Sequence, residues 1–396
     1  MNTDLLKPDV QRFIYENTGT DISKLALQKN PFPEINFKEI LNQIESRTKS
    51  KEKLPTWFNK INILFPSKIS VEQTSSEKTA AYKTKLVSGD SLIDLTGGFG
   101  IDAFYFSNKI KSIVHCESNT ELSEIVKHNF NQFEKHNIEC ISDESEEILK
   151  KLNKKFDWIY IDPSRRNDIK GRVFLLKDCS PNVPELLEVY FKYTNKILLK
   201  TSPILDISAG INELKNVKEI HIVAVENEVK EILWLLEKNH QSTIKVICSN
   251  LVNDAVEKFE YDLPSNSDAT YSLPLKFLFE PNASLMKSGG FDEISQQFGI
   301  DKLHQNSQLF TSNELKPFCG RVFEIKNQFI YSKENMKLFL ANTKANVTTR
   351  NFPVTVDEIR KKWKIKDGGK IYCFFTTALD NHKIVLLCNK IKKKHE

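Results

Sequence analysis

The sequence predicts an α/β protein: a mostly parallel sheet with helices on both faces, preceded by a helical unit and followed by a small α+β region. Three observations predict it. Between residues 91 and 250, short apolar runs alternate with stretches of helical spacing. The first of these runs leads through a glycine-rich turn, Thr96 to Gly100, straight into a helical pattern from Ile101. After Asn250 the alternation stops, and a polar, proline-bearing stretch precedes a tail with strand-like and helical runs of its own.

Length and composition bound the reading. At 396 residues the chain has room for two or three domains of about 100–200 residues. No apolar run approaches the ~18 residues of a membrane span, and the N-terminus shows no cationic-then-apolar leader. The seven cysteines are scattered without a Cys-x-x-Cys pair, which points to reduced thiols in the cytoplasm and away from disulfides or a zinc site. The histidines show no ligand spacing, so no metal is expected. The net charge of +5 is unevenly placed: residues 341–396 hold 13 Lys/Arg against 5 Asp/Glu. A local basic excess suits a polyanionic partner, although a run such as Lys390 to Lys394 also reads as a solvated tail.

Along the chain, residues 1–68 read as a helical unit. Val10, Phe13 and Ile14, then Ile40, Leu41 and Ile44, recur at helical spacing, and Pro31 and Pro33 separate the two stretches. Asp21 caps a helix over Ile22 to Gln28. Ser75 or Ser76 caps a helix carrying Thr79, Tyr82 and Lys83. Strands are expected at 91–95, 112–116, 138–141, 156–161, 196–200, 219–225 and 243–248, with helices at 119–135 and 183–193. Val229 to Leu236 fits either a helix or a strand of a terminal hairpin. Residues 260–275 read as a linker. Beyond it lie strand-like runs at Phe277–Pro281, Arg321–Ile325, Gln328–Ser332, Ala345–Arg350, Ile371–Thr377 and Ile384–Asn389, with a helix at Val356–Trp363.

The chemistry begins at the glycine turn, Asp94-Leu-Thr-Gly-Gly-Phe-Gly-Ile-Asp. It is neither the dinucleotide fingerprint nor a P-loop. It resembles motif I of class I S-adenosyl-L-methionine (SAM)-dependent methyltransferases, with Gly98 and Gly100 at two motif glycines and Thr96 where many members have a third. Such a resemblance implies a Rossmann-like seven-stranded methyltransferase sheet and SAM as cofactor. Three carboxylates stand where that site needs them. Asp94 ends the first strand and suits donors near the amino-acid moiety. Glu117 follows the second strand, 23 residues on, and can accept both ribose hydroxyls. Asp143 follows the third and can accept from the adenine amine, or cap the next helix. Gln73, Thr79 and Lys83 lie in a stretch that closes over the methionine end of SAM in many RNA methyltransferases; it reads equally as a helix-capping segment.

The fourth strand ends in Asp162-Pro-Ser-Arg-Arg. This resembles motif IV of methyltransferases that act on amino groups or rings of nucleobases, where a carboxylate or amide and a backbone carbonyl accept the amine hydrogens. Here Asp162 and Pro163 match, Ser164 replaces a second proline and Arg165 replaces the aromatic. Arg165 and Arg166 can stack on a base or grip phosphate, or pair with neighbouring carboxylates. Lys200, in Lys-Thr-Ser-Pro after the fifth strand, borders the same crevice as a substrate-binding candidate. Cys179 reads as a bystander.

The glycine loop with its trailing Asp102-Ala103-Phe104 also looks like that of bacterial ribosomal-RNA guanine-N2 methyltransferases. Together with Asp-Pro-Ser-Arg-Arg, Lys-Thr-Ser-Pro, Glu280-Pro-Asn-Ala, Leu309-Phe-Thr-Ser, Arg350-Asn-Phe-Pro and Lys366-Asp-Gly-Gly, it is similar to SAM-dependent methyltransferases that end in a ferredoxin-like segment and a THUMP-like domain. The resemblance spans about residues 70–396. It implies domains at 1–68 (helical), 69–260 (SAM-binding), 276–325 (ferredoxin-like) and 326–396 (THUMP-like), and methylation of a nucleobase in structured RNA, tRNA or rRNA. An RNA-binding module that holds SAM without transfer, and a DNA or protein methyltransferase, are the alternatives. Oligomeric state is left open.

Overall fold

The computed structural model describes residues 1–165, 175–253 and 255–392. It divides into two units, one of residues 1–218 with 231–242, the other of residues 219–230 with 243 onward.

The first unit opens with helices Pro8–Glu16, Ile22–Leu25 and Phe37–Lys53. Asp21 and Asn36 cap the second and third by accepting backbone N–H groups of Ser23 and Lys38. Their apolar stripes meet in one core of Leu5, Val10, Ile14, Leu25, Ile35, Ile40, Ile44 and Leu64. Trp57, which is buried, carries the packing onward: its ring lies 4.5 Å from Phe104 and 5.0 Å from Phe133. The helical prefix is therefore fastened to the helices that flank the glycine turn.

The strands that follow are β1 (Ser91–Asp94), β2 (Ser112–Cys116), β3 (Ile138–Ile141), β4 (Trp158–Ile161), β5 (Lys196–Thr201), β6 (Val217–Val225) and β7 (Glu228–Glu237). Within the first unit their order is β3-β2-β1-β4-β5-β7, all parallel except β7, which runs antiparallel to β5. Every residue of β4 is buried, as expected of a strand covered on both faces. From β1 the chain steps outward to β2 and β3, then returns to β4 on the other side. The carboxyl ends of β1 and β4 are thus the topological switch point, where open α/β sheets leave a crevice. The ambiguous stretch 229–236 is strand β7. Ile232 to Leu236 are all buried, so neither a two-residue nor a 3.6-residue period could show.

In the second unit, β8 (Ile244–Val252) runs parallel to β6 and antiparallel to β9 (Ala255–Leu263). The linker expected from residue 260 begins later, because β9 continues to Leu263. Its buried Phe259 and Tyr261 alternate with more exposed neighbours, the signature of a strand with one covered face. A second sheet follows, of β10 (Phe277–Pro281), β11 (Asp301–Lys302), β12 (Phe310–Ser312), β13 (Gly320–Ile330), β14 (Asn346–Arg350), β15 (Ile371–Thr377) and β16 (Lys383–Lys390). Its order is β11-β12-β10-β13-β16-β15-β14. The two runs expected at 321–332 form one strand, β13, whose register against β16 shifts between Ile325 and Asn327. The helix Val356–Trp363 starts with a capping box of Thr355 and Glu358.

The motif residues of the tail converge on a polar seam. Glu280, buried on β10, accepts from Arg321 on β13 and from Arg350 at the end of β14. Asn351 donates to Ser307, whose hydroxyl donates to the Thr377 carbonyl. These contacts tie the segment around β10 to β14 and β15 within the second unit.

Candidate active site at the switch point

The glycine turn leaves the end of β1 and is fixed from below. The Gly97 N–H donates to the Cys116 carbonyl at 2.8 Å, and a Cβ on Gly97 would come within 2.2 Å of His115 Nε2. His115 is fully buried on β2, and burial pushes its pKa down to about 4, against backbone groups of Gly97 and Gly98 that favour the charged ring. A neutral imidazole therefore forms the floor of the turn. Gly100 takes φ +76° and starts the helix Ile101–Phe106. Gly98, at φ +52°, is different: a Cβ there would point into open space. The turn presents bare backbone to that space.

Three strand ends meet around it. Glu117, half-buried after β2, accepts from the Gly98 N–H at 3.0 Å and the Asn119 N–H at 2.8 Å. Asp94 is buried at the end of β1 and accepts from the Thr96 N–H at 3.0 Å. Desolvation raises its carboxyl well above the usual range, with the nearby Asp102, Asp162 and Glu117 charges adding to the shift and the Thr96 N–H opposing it. After β4, the Asp162 N–H donates to the Thr96 hydroxyl at 2.6 Å. Thr96 thereby links the glycine turn to the Asp162 turn. Lys200, from β5, donates to Asp162 Oδ2 at 2.5 Å. The Asp162 side chain stays 31% exposed beside that contact.

Asp94, Thr96, Gly98, Glu117, Asp162 and Lys200 thus share one place. Pro163 follows within the turn, and Ser164 is exposed in a two-residue strand, Ser164–Arg165, paired with Cys179–Ser180. Arg166 and the side chain of Arg165 lie outside the described residues. Asp143 is held by Lys151 and by the Glu144 N–H. Gln73 is exposed at the end of the helix Lys68–Gln73. Lys83 does not face open space at all. It is fully buried on the helix Glu77–Leu86, where it donates to both oxygens of Glu231 (2.9 and 2.7 Å) and to Ser75 Oγ (3.0 Å), and lies 3.2 Å from Asp102 Oδ1. Thr79 is buried one turn earlier on that helix.

Asp102, Tyr160, Glu231 and His115 were not legible as site residues. Asp102 Oδ2 accepts from the Ser75 and Tyr160 hydroxyls, both at 2.8 Å. Burial alone would raise Asp102, but Lys83, Lys200 and those hydroxyls bring its carboxyl below the usual range. The only signal for Glu231 is a carboxylate at the head of a five-residue apolar run. Among the described residues no cluster of His, Cys, Asp or Glu could hold a metal ion, and no helix is long and apolar enough to cross a membrane.

Comparison with known proteins fits this layout. Residues 277–318 match the profile of a ferredoxin-like domain and residues 320–390 that of a THUMP domain-like family. The crystal structure of a candidate methyltransferase from Porphyromonas gingivalis is similar over 99% of both chains, with 28% identity and a TM-score of 0.87. Two partial likenesses are much weaker. TrmK of M. capricolum, in complex with S-adenosyl-homocysteine, gives 17% identity over 42% of this chain and 69% of its own, TM-score 0.32. A candidate methyltransferase from Streptococcus mutans, also in complex with SAH, gives 12% over 41% and 96%, TM-score 0.31. No curated protein matches in sequence. The chain thus carries a ferredoxin-like segment followed by a THUMP domain-like region, and its fold is similar over its whole length to that of the P. gingivalis candidate methyltransferase.

Proposed function

We propose that this protein transfers the methyl group of SAM to a nucleobase in structured RNA, tRNA or rRNA. The observation that carries the reading is the meeting, at one switch point, of an open glycine backbone at Gly98, the Glu117 carboxylate and the part-exposed Asp162. The residues present fit the cofactor. Bare backbone at Gly98 admits close approach, while Gly100, the other motif glycine, makes room for Phe130 and Val126; Glu117 offers two oxygens to a ribose, and Asp94 with Thr96 lines the amino-acid end, with Gln73 and Asp143 at the margin. Lys83 is reassigned, because its ammonium is consumed by Glu231.

The cofactor, when bound, supplies a methyl group already activated on a sulfonium. What remains for the chain is alignment. Lys200 takes Oδ2 of Asp162, and no described residue hydrogen-bonds Oδ1. Asp162 Oδ1 and the Pro163 carbonyl accept the N–H hydrogens of the target nitrogen and turn its lone pair toward the methyl group. Ser164, Arg165 and Arg166 hold the surrounding nucleotide. The THUMP-like domain and the basic excess of residues 341–396 favour RNA over DNA or protein. Seven free cysteines suit a cytoplasmic location.

The test is to incubate purified protein with methyl-labelled SAM and total RNA from cells lacking the gene. Label is expected in one modified nucleoside and is lost with Asp162→Ala. Label only in DNA or protein overturns the RNA assignment. A second reading, SAM binding without transfer, is favoured by Ser164 in place of the usual proline. Calorimetric SAM binding with no labelled acceptor supports it.

A further inference from the structure

We propose that Glu231 is a positioning residue for the acceptor end of this site, fixing the Asp162 carboxylate through Lys200. Its effect on rate rests on the methyl-transfer reading above; its geometry does not. Lys200 extends from the end of β5, with its side chain only 14% exposed, and its contact with Asp162 Oδ2 is its one direct carboxylate bond among the described residues. A lysine stem is flexible and its ammonium can satisfy several arrangements, so that bond alone does not choose one. The surroundings do. Glu231 stands on the neighbouring strand β7, one residue before Ile232, which pairs with Thr201. It is 2% exposed, and its charge and that of Asp102 both act on Lys200 alongside Asp162.

Glu231 is itself held by both bonds from Lys83, while Lys83 is shared with Asp102, and Asp102 is locked by Ser75 and Tyr160. Lys83 thus bridges Asp102 and Glu231, Lys200 holds Asp162, and the two groups of ions are joined through the charge of Glu231 on the strand beside Lys200. Buried charges of this kind hold position because each displaced ion leaves another uncompensated. Without the Glu231 charge, Asp102 becomes the main partner of Lys83, and Lys200 loses one of the three carboxylate charges that act on it. Asp162 then loses the brace that leaves only Oδ1 to the acceptor.

The test uses the full chain as Glu231→Gln, Glu231→Asp and the double variant Lys83→Met/Glu231→Leu, with folding checked by circular dichroism. One measurement is transfer from labelled SAM to total RNA from cells lacking the gene. The other is acetylation of Lys200 by acetic anhydride, read by peptide mass spectrometry, which needs no activity. Glu231→Gln is expected to lower kcat by about 10- to 100-fold, the scale of a misplaced reacting group, with SAM affinity unchanged and Lys200 acetylated faster. Glu231→Asp, which keeps the charge, restores part of both. The double variant removes the Lys83–Glu231 pair together and leaves Asp102 to the Ser75 and Tyr160 hydroxyls, so no unpaired Lys83 ammonium is left buried; it shows the same kcat loss and Lys200 labelling. Wild-type kcat and wild-type Lys200 protection in the double variant overturn the proposal. A wild-type protein that methylates no RNA, while Lys200 protection still depends on Glu231, overturns the methyl-transfer reading and leaves the positioning role standing.

Discussion

Gly97 and Gly98 are adjacent, yet a methyl group added to each meets opposite surroundings. At Gly97 it would collide with His115 Nε2 at 2.2 Å; at Gly98 it would enter open space. Gly97→Ala is therefore expected to destabilise the fold by about 1–3 kcal/mol, as overpacking does, seen as a lower denaturation midpoint. Gly98→Ala costs only about 1–2 kcal/mol for its left-handed backbone, but should weaken SAM binding in calorimetry, because the new carbon occupies the ligand side. Gly98 was legible in the sequence from motif spacing. The role of Gly97 was not, because the residue it accommodates sits on another strand. His115 also leaves a pH signature. The folded ring titrates near 4 and the unfolded one near 6.5, so the unfolded chain takes up its proton first on acidification. The resulting stabilisation is complete above pH 6.5, declines as pH falls from 6.5 to 4 and is flat below. A His115→Gln variant should lose one proton's worth of slope in that window, measured by denaturant titration at successive pH values.

At the scale of elements, the fastening of the helical prefix is specific as well as apolar. Asn129, on the helix Thr120–Gln132, accepts from the Leu64 N–H at 2.9 Å and donates to the Leu64 carbonyl at 2.7 Å, all of it buried. Asn129→Ala leaves both backbone groups without partners, an expected loss of about 2–5 kcal/mol in chemical denaturation. Elements with strong periodic or capping signals were legible. Val356–Trp363, with Thr355 and Glu358 at its head, has the bounds expected of it. Elements decided by long-range pairing were not. Strand β7 hid because its residues are buried on both faces, and β9 hid beneath turn-forming residues near its end. The buried relay behind Asp162 depends on β5 and β7 lying side by side, a pairing that no local spacing encodes.

For the molecule as a whole, the proposed function assigns RNA docking and SAM binding to differently charged parts of the chain. Lys361, Lys362 and Lys364 are exposed on and just after the helix Val356–Trp363 in the THUMP-like region, remote in sequence from Asp94 and Glu117. Replacing all three with glutamate should weaken RNA binding and flatten the dependence of its affinity on salt, as fewer phosphate contacts release fewer counterions. SAM affinity should stay as in the wild type. Equal loss of both would count against this division. A mostly parallel sheet and the glycine turn were readable from alternation and composition, whereas the strand order was not and the Asp162 turn was only half readable. Motif spacing reached Asp162 and Lys200, but their direct pairing appears only in three dimensions.

Thr96 has a thermodynamic consequence. Its hydroxyl receives the Asp162 N–H at 2.6 Å while its own N–H ends on Asp94, so under the proposed function the cofactor turn and the acceptor turn share one side chain. Two sites joined in this way are linked, and linkage is reciprocal: the factor by which filling one alters affinity at the other is returned in full. Reciprocity fixes the free energies of SAM and acceptor binding and imposes no order of arrival. Whichever comes second meets a crevice already shaped by its predecessor, and both routes reach the same ternary state with the same free energy.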